Sequence, residues 1–372
     1  MKQDKPKIRY WDYLDDYSSH REEYLRICDE VFTSGRLVLG SHLAAFERKF
    51  AGFCHVPYAV GVASGTDAIF LALKALNIGS GDDVITVANT AVPTVAAIRA
   101  TGANPVFVDV EEDSYLMDVA QLDRVITRRT RCILPVHLFG QMVDMVPLLE
   151  YAQRYSLSVV EDCAQACGAT CNGYLAGSLG DIGAFSFYPT KVLGAFGDGG
   201  LVTTSRPELH EKLRKLRFYG MQSGYYAEEE GYNSRLDDVQ AALLNRKLDR
   251  LGAAVEQRRQ IAARYDKGLN GIGDIRLPAV RPHCGHQYYL YTIRTGRREE
   301  LMAYLAGQNI DTKVNYPDPI HLMRGYGFLG YSPGSLPVTE RLAGTILSLP
   351  LYPELPEEQV TEVIAAIRHF FS

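Results

Sequence analysis

The chain has 372 residues, 47% of them hydrophobic, which is enough for two or three domains around buried cores. A net charge of −5 gives no electrostatic case for nucleic acid or an anionic membrane as main partner. The start, residues 1–6, has no apolar signal region and no apolar run reaches bilayer length, so a cytoplasmic protein without membrane contact is expected.

Helical patterns are predicted over residues 24–32 and 41–51, segments expected to pack on a smaller domain or on a partner subunit. Short apolar runs follow at 58–62, 84–88, 106–110, 132–136, 158–161, 183–187 and 200–204. Helical patterns such as 67–76 and 148–155 lie between the early ones. Strands alternating with helices imply crossover units, hence an α/β fold: a doubly wound domain with a seven-stranded, mostly parallel sheet. Leu236, Val239, Leu243, Leu244, Leu248, Leu251 and Val255 recur at helical spacing and predict one long helix over 236–269, suited to linking two domains. Beyond it, a strand at 287–295, a helix at 299–308 and an amphipathic helix at 357–371 suggest a smaller α+β domain. The expected division is an N-terminal segment 1–35, a large domain 36–250 and a small domain 251–372.

The chemistry concentrates around Lys191, which ends Ser186-Phe187-Tyr188-Pro189-Thr190-Lys191. A rigid aromatic turn of this kind suits a lysine that must hold an aldehyde cofactor as a Schiff base. Asp162 ends an apolar run, where a carboxylate faces the crevice at the carboxyl ends of the strands and can pair with a pyridine nitrogen. Ser64-Gly65-Thr66-Asp67 follows another strand and opens a helix, a setting for a phosphate. Ser186 could add a hydroxyl to the same phosphate. Taken singly, Ser64 reads as a helix cap, Asp162 as another cap and Lys191 as a turn lysine. Their order on a doubly wound domain is what points to a site. Neither G-x-x-x-x-G-K-[ST] nor G-x-G-x-x-G is present, so nucleoside triphosphates and dinucleotides lack support. The seven cysteines are scattered, without C-x-x-C, and read as reduced thiols. Cys163, Cys167 and Cys171, and the cluster His283-Cys284-Gly285-His286, lack a matching second ligand pair, so no metal site is expected.

These motifs, with Ser34-Gly35, Leu39-Gly40, Phe46-Glu47, Glu161-Asp162-Cys163-Ala164-Gln165-Ala166, Gly197-Asp198-Gly199-Gly200, Gly231-Tyr232-Asn233-Ser234-Arg235 and Leu349-Pro350-Leu351-Tyr352-Pro353, resemble the DegT/DnrJ/EryC1/StrS sugar aminotransferases of fold type I over nearly the whole length. The resemblance implies pyridoxal 5'-phosphate as cofactor and pyridoxamine 5'-phosphate as intermediate. It implies that Lys191 forms the Schiff base and carries the proton, that Asp162 pairs with the ring nitrogen, and that Gln165 lies against the ring. Gly65, Thr66 and Ser186 would hold the phosphate. Asn233 would reach the phosphate of the neighbouring subunit in a homodimer, with Arg235 close by in sequence. Asn315, Tyr316 and His321 fall on the segment that in the family lines the sugar site. The implied reaction is amination of a nucleotide-linked keto sugar with glutamate as donor. Alternatives are a keto-cyclitol substrate or a non-catalytic sensor on the same fold. The chain departs from the family's pattern where Ala91 replaces a stacking aromatic ring and where Asn315 replaces histidine.

Overall fold

The computed structural model describes residues 6–222 and 224–372. Two helices come first, α1 (Leu14–Thr33) and α2 (Ser41–Phe53). The main sheet contains β1 (Tyr58–Val62), β2 (Asp83–Val87), β3 (Asn104–Val108), β4 (Thr130–Ile133) and β5 (Ser158–Asp162). A small hairpin, β6 (Thr170–Cys171) and β7 (Tyr174–Leu175), precedes the last two strands, β8 (Ile182–Ser186) and β9 (Gly200–Thr204). The spatial order is β1-β9-β8-β5-β4-β2-β3. Every pairing from β8 to β3 is parallel, while β9 runs antiparallel to both β8 and β1. All seven expected strands form. β2 and β9 are buried at every residue, because helices cover both faces of the sheet. Those helices include α3 (Gly65–Ala75), α4 (Val92–Ala100), α5 (Met145–Tyr155) and α6 (Pro207–Leu216).

The expected long helix is two, α7 (Asp238–Leu248) and α8 (Leu251–Leu269). The apolar stripe runs through the break because Leu248 and Leu251 share the main core. Further along, Ile261, Tyr265 and Leu269 turn into a second core. That core is closed by the antiparallel pair β11 (Tyr291–Arg294) and β12 (Ile346–Leu349) and by α9 (Arg298–Gly307) and α11 (Glu357–Phe371). The short β10 (Cys284–Gly285) precedes this unit, and α10 (Pro337–Thr345) leads into β12.

The N-terminal segment divides between the two cores. Ile8 joins the second core, and its backbone bonds Asn309 and Asp311. Within the chain, α1 packs on α7, and α2 on α7 and β1. The first turn of α2 has no cap of its own. Asp238, 198 residues beyond Gly40, accepts hydrogen bonds from the N–H groups of Gly40 (2.9 Å) and Leu43 (3.3 Å). A β-carbon on Gly40 would collide with that carboxylate, so only glycine fits.

The reduced-thiol expectation fails for one pair. Cys171 and Cys284 form a disulfide, because β6 and β10 pair antiparallel with these two residues opposite each other, Cα atoms 4.0 Å apart. Cys28, Cys54, Cys132, Cys163 and Cys167 are free thiols. No helix among the described residues is long and apolar enough to cross a membrane.

Candidate active site

A cavity of about 280 Å³ opens at the carboxyl ends of β1, β2, β5 and β8. It is lined by Gly65, Thr66, Asp162, Gln165, Ser186 and Lys191, so six residues singled out from sequence meet there. Parallel strands with helices on both faces leave their crevice at this edge.

One end of the cavity is the start of α3. Ser64 caps the helix, its Oγ accepting from the Asp67 N–H at 3.1 Å. Gly65 and Thr66 form the first turn, where backbone N–H groups lack intrahelical partners and the dipole favours an anion. Ser186 closes this end from β8. A β-carbon on Gly65 would lie 2.5 Å from Ser186 Cβ, so glycine is what lets helix and strand meet.

The other end is Asp162, 3% exposed. Its Oδ2 accepts from the Thr94 hydroxyl at 2.8 Å and its Oδ1 from the Ala164 N–H at 3.1 Å. Burial pushes its pKa up, against the opposing pull of these two bonds and of the Lys191 charge. Behind it lies a fully buried pair, His137 Nε2 and Glu161 Oε2, 2.9 Å apart. The Val143 N–H donates to His137 Nδ1, so the ring proton sits on Nε2 and is donated to Glu161. Burial pushes the Glu161 pKa up, but His137 and the N–H groups of Gly180 and Gly177 outweigh it and hold the carboxyl below its usual range. Cys163 lies close enough to complete a metal-like trio with this pair. Both His137 nitrogens and both Glu161 oxygens are already hydrogen-bonded, however. Residues 163–169 form turns and no helix, so the i, i+4 spacing of Cys163, Cys167 and Cys171 does not place them on one face.

Lys191 sits in the loop after β8, its N–H bonded to Tyr188 O at 2.8 Å. Its Nζ lies 4.5 Å from the centre of the Tyr289 ring. Gln165 accepts from the Phe139 N–H (2.9 Å) and donates to the Tyr316 hydroxyl (2.8 Å), which draws Tyr316 to the cavity's edge. Asn315 accepts from the Tyr10 hydroxyl at 3.0 Å. His321 is buried, bonded through Nε2 to Glu340 at 3.1 Å, and does not line the cavity. Arg235 lies over the rings of Phe218 and Tyr219. Asn233 is exposed and outside the cavity, although its neighbour Ser234 bonds Asp67 in α3. Ala91 lines the cavity at the start of α4, and the flanking Thr90 and Pro93 supply no aromatic ring.

Sequence reasoning missed Thr94, Tyr289 and Tyr10. Thr94 lay in a segment read only for its missing aromatic. The other two reach the site through contacts that no local motif announces.

A buried carboxylate needs a charged partner. Among the described residues, Asp162 has no cation within ion-pair distance, and the strongest opposite charge acting on it is that of Lys191, which lines the same cavity. The cavity offers an anion-binding helix start, a lysine and this uncompensated carboxylate, which match the phosphate, the aldehyde and the ring nitrogen of pyridoxal phosphate. The fold and site define a pyridoxal phosphate-dependent enzyme of fold type I. Residues 18–368 match the DegT/DnrJ/EryC1/StrS aminotransferase family, and the chain belongs to it. It is 49% identical, over 96% of its own length and 97% of the relative's, to a dTDP-3-amino-3,4,6-trideoxy-alpha-D-glucose transaminase of Micromonospora megalomicea subsp. nigra. Among solved structures it resembles DesV of Streptomyces venezuelae, with a TM-score of 0.97 and 44% identity over 99% of both chains. It also resembles NtdA of Bacillus subtilis with bound cofactor PMP, with a TM-score of 0.92 and 30% identity, over 100% of this chain and 86% of that one. The chain is an aminotransferase and pyridoxal phosphate is its cofactor.

Proposed function

We propose that this aminotransferase converts a ketone on a nucleotide-linked deoxysugar into an amine, with glutamate as the donor. The observation that carries the reading is the meeting of Lys191, Asp162, Gln165, Ser186 and the start of α3 in one cavity. The relative at 49% identity, named for a dTDP-linked amino sugar, supports the substrate class. When bound, the cofactor supplies a carbonyl carbon that takes up amines and a ring that withdraws electrons. Lys191 holds that carbon between turnovers and carries a proton from one reacting carbon to the other during them. Asp162 keeps the ring nitrogen protonated. Its charge is held in place by Thr94 and Ala164, so it needs no reorganisation as electrons move. Gly65, Thr66 and Ser186 hold the phosphate, and Gln165 orients the ring from the side of Tyr316.

Asn233, exposed on its own chain, reaches the phosphate in the cavity of a second copy, so that a two-fold dimer carries two shared sites. Exposed Phe32, Leu37, Tyr219, Tyr225 and Tyr226 supply apolar surface for that contact. Tyr316, Asn315 and Arg235 contact the sugar, with His321 on the same segment as the first two. Asn315 can donate and accept hydrogen bonds but neither gains nor loses a proton near neutral pH, so it positions a hydroxyl or ketone.

The test is direct. Protein loaded with pyridoxal phosphate is yellow. Glutamate should bleach it, and a dTDP-linked keto sugar should restore the colour and yield an amino sugar by mass spectrometry. Lys191→Ala should abolish both changes. Substantial transfer by Lys191→Ala, or indifference to glutamate, refutes the reading.

A further inference from the structure

Lysine carries its amine on a flexible four-carbon stem and loses much rotamer freedom when held at one place. A site that needs a free lysine amine between covalent events therefore needs something to hold it. Among the described residues around Lys191, the Tyr289 ring offers such a surface. The Tyr289 ring centre lies 4.5 Å from Nζ, within reach of the attraction between a cation and an aromatic face.

That ring is itself immobilised. Its hydroxyl bonds Thr190 Oγ1 at 3.1 Å, and Thr190 directly precedes Lys191, so ring and lysine are registered by adjacent residues. The Tyr289 backbone is fixed from two sides. Arg258, 3% exposed on α8, donates to the carbonyls of Tyr288 (3.2 Å), Tyr289 (3.4 Å) and Leu351 (3.2 Å). On the other side the Gln287 N–H bonds Gly140 O at 2.9 Å and the Leu290 N–H bonds Phe139 O at 3.3 Å. Gly140 has φ +105°, and a β-carbon on it would lie 2.9 Å from the Tyr289 nitrogen, so a larger residue would push the segment away. The same loop gives the Phe139 N–H to Gln165, tying the Tyr289 support to the cofactor's flank. This anchoring also explains why the expected strand over 287–295 starts only at Tyr291.

We propose that Tyr289 is the positioning residue for the Lys191 amine: its ring face is the seat the amine occupies whenever it is not joined to the cofactor. The inference rests on Lys191 being the cofactor lysine. In the second half of the reaction the amine must be free yet placed to move a proton. A seat fixed through Thr190, Gly140 and Arg258 keeps it within reach without an ion pair that would hold it back.

The test varies the ring's electron density at constant shape. Position 289 is filled with phenylalanine and then with mono-, tri- and pentafluorophenylalanine, which progressively weaken the face. Two readouts are taken. The first is the rate at which an amine-directed acylating reagent labels Lys191 in the cofactor-stripped full chain, followed by peptide mass spectrometry. The second is the primary isotope effect with α-deuterated glutamate in the loaded enzyme. Labelling should accelerate by roughly five-fold from phenylalanine to the pentafluoro form, as expected for losing one such contact. The isotope effect should grow along the series as proton transfer becomes slower. Flat labelling rates and an unchanged isotope effect across the series overturn the proposal. Borohydride fixation of the cofactor separates the two layers of the argument. Attachment at Lys191 with a flat series overturns the role of Tyr289 alone, while attachment elsewhere overturns the cofactor-lysine reading and the role of Tyr289 with it.

Discussion

Alanine at position 65 should strip the site of its cofactor while leaving the fold standing. The added β-carbon would lie 2.5 Å from Ser186 Cβ, 3.0 Å from its Oγ and 3.1 Å from its Cα. The hydroxyl can rotate away, but the Cα belongs to β8, hydrogen-bonded to β5 on one side and β9 on the other. The first turn of α3 must therefore yield. Overpacking of this kind costs about 1–3 kcal/mol. Alanine returns up to about 1 kcal/mol through its better helix propensity, so the net loss of fold stability is small. Phosphate binding is less forgiving, because it needs the helix start and Ser186 in register. Losing one charge-assisted hydrogen bond costs about 1.5–3 kcal/mol, which raises the Kd for pyridoxal phosphate roughly ten- to hundred-fold. Titrating stripped protein with pyridoxal phosphate, beside a thermal melt of the same protein, reads both quantities. Gly52→Ala is the control, since nothing lies within 4 Å of a β-carbon there. Unchanged cofactor affinity in Gly65→Ala would refute the reasoning.

Asp162→Asn keeps the side chain's size and removes its charge. Turnover should fall at least roughly a hundred-fold, the scale for losing one preorganised electrostatic contact, with the cofactor retained on dialysis. Near-normal turnover with cofactor loss would make Asp162 an anchor only. A shared site predicts complementation: a random mixture of Lys191→Ala and Asn233→Ala chains should recover about a quarter of the wild-type sites, because half the dimers carry one intact site of two. No recovery above the separate variants argues against sharing. The His286 pKa is pushed down to about 3 by burial, aided by the Arg259 charge. The unfolded chain therefore binds the extra proton first, and this contribution to stability is complete above about pH 6.5 and shrinks as pH falls from there toward 3. Melting temperature followed from pH 7.5 to 5 should fall less steeply in His286→Phe than in the parent, and parallel slopes would show that His286 does not drive the loss.

The strands of the main sheet were legible because helices cover both its faces, so each strand carries a short apolar stretch even where polar residues such as Arg131, Glu161 or Thr203 interrupt or end it. The break between α7 and α8 was not, since Asp249 and Arg250 carry no glycine or proline signal and the apolar stripe continues past them. Helix α1 was seen only in its second half, because its first turns are polar and bury little. Within the site, Asp162, Gly65 and Lys191 were readable from local spacing, the first at the end of a strand and the other two three and five residues beyond one. Thr94 joins Asp162 across 68 positions and Tyr289 joins Thr190 across 99, and nothing in either neighbourhood marks the contact. The Cys171–Cys284 bond spans 113 positions and depends on a pairing of two-residue strands too short to predict.

The remote cap on α2 bears on how the chain matures as it is made. Synthesis proceeds from the N-terminus at about 5–20 residues per second, so Asp238 follows Gly40 by roughly 10–40 s. During that interval α2 leaves the ribosome with its first turn open. Its neighbour β1 waits as well, because in the sheet it pairs only with β9, which ends at Thr204. The first hundred residues thus hold α2 and β1 in suspense until a later part of the chain supplies both the cap and the pairing edge. A nascent chain stalled before residue 200 lacks both, and the apolar face of α2, with Leu43, Phe46 and Phe50, stays open to chaperones or to other stalled copies.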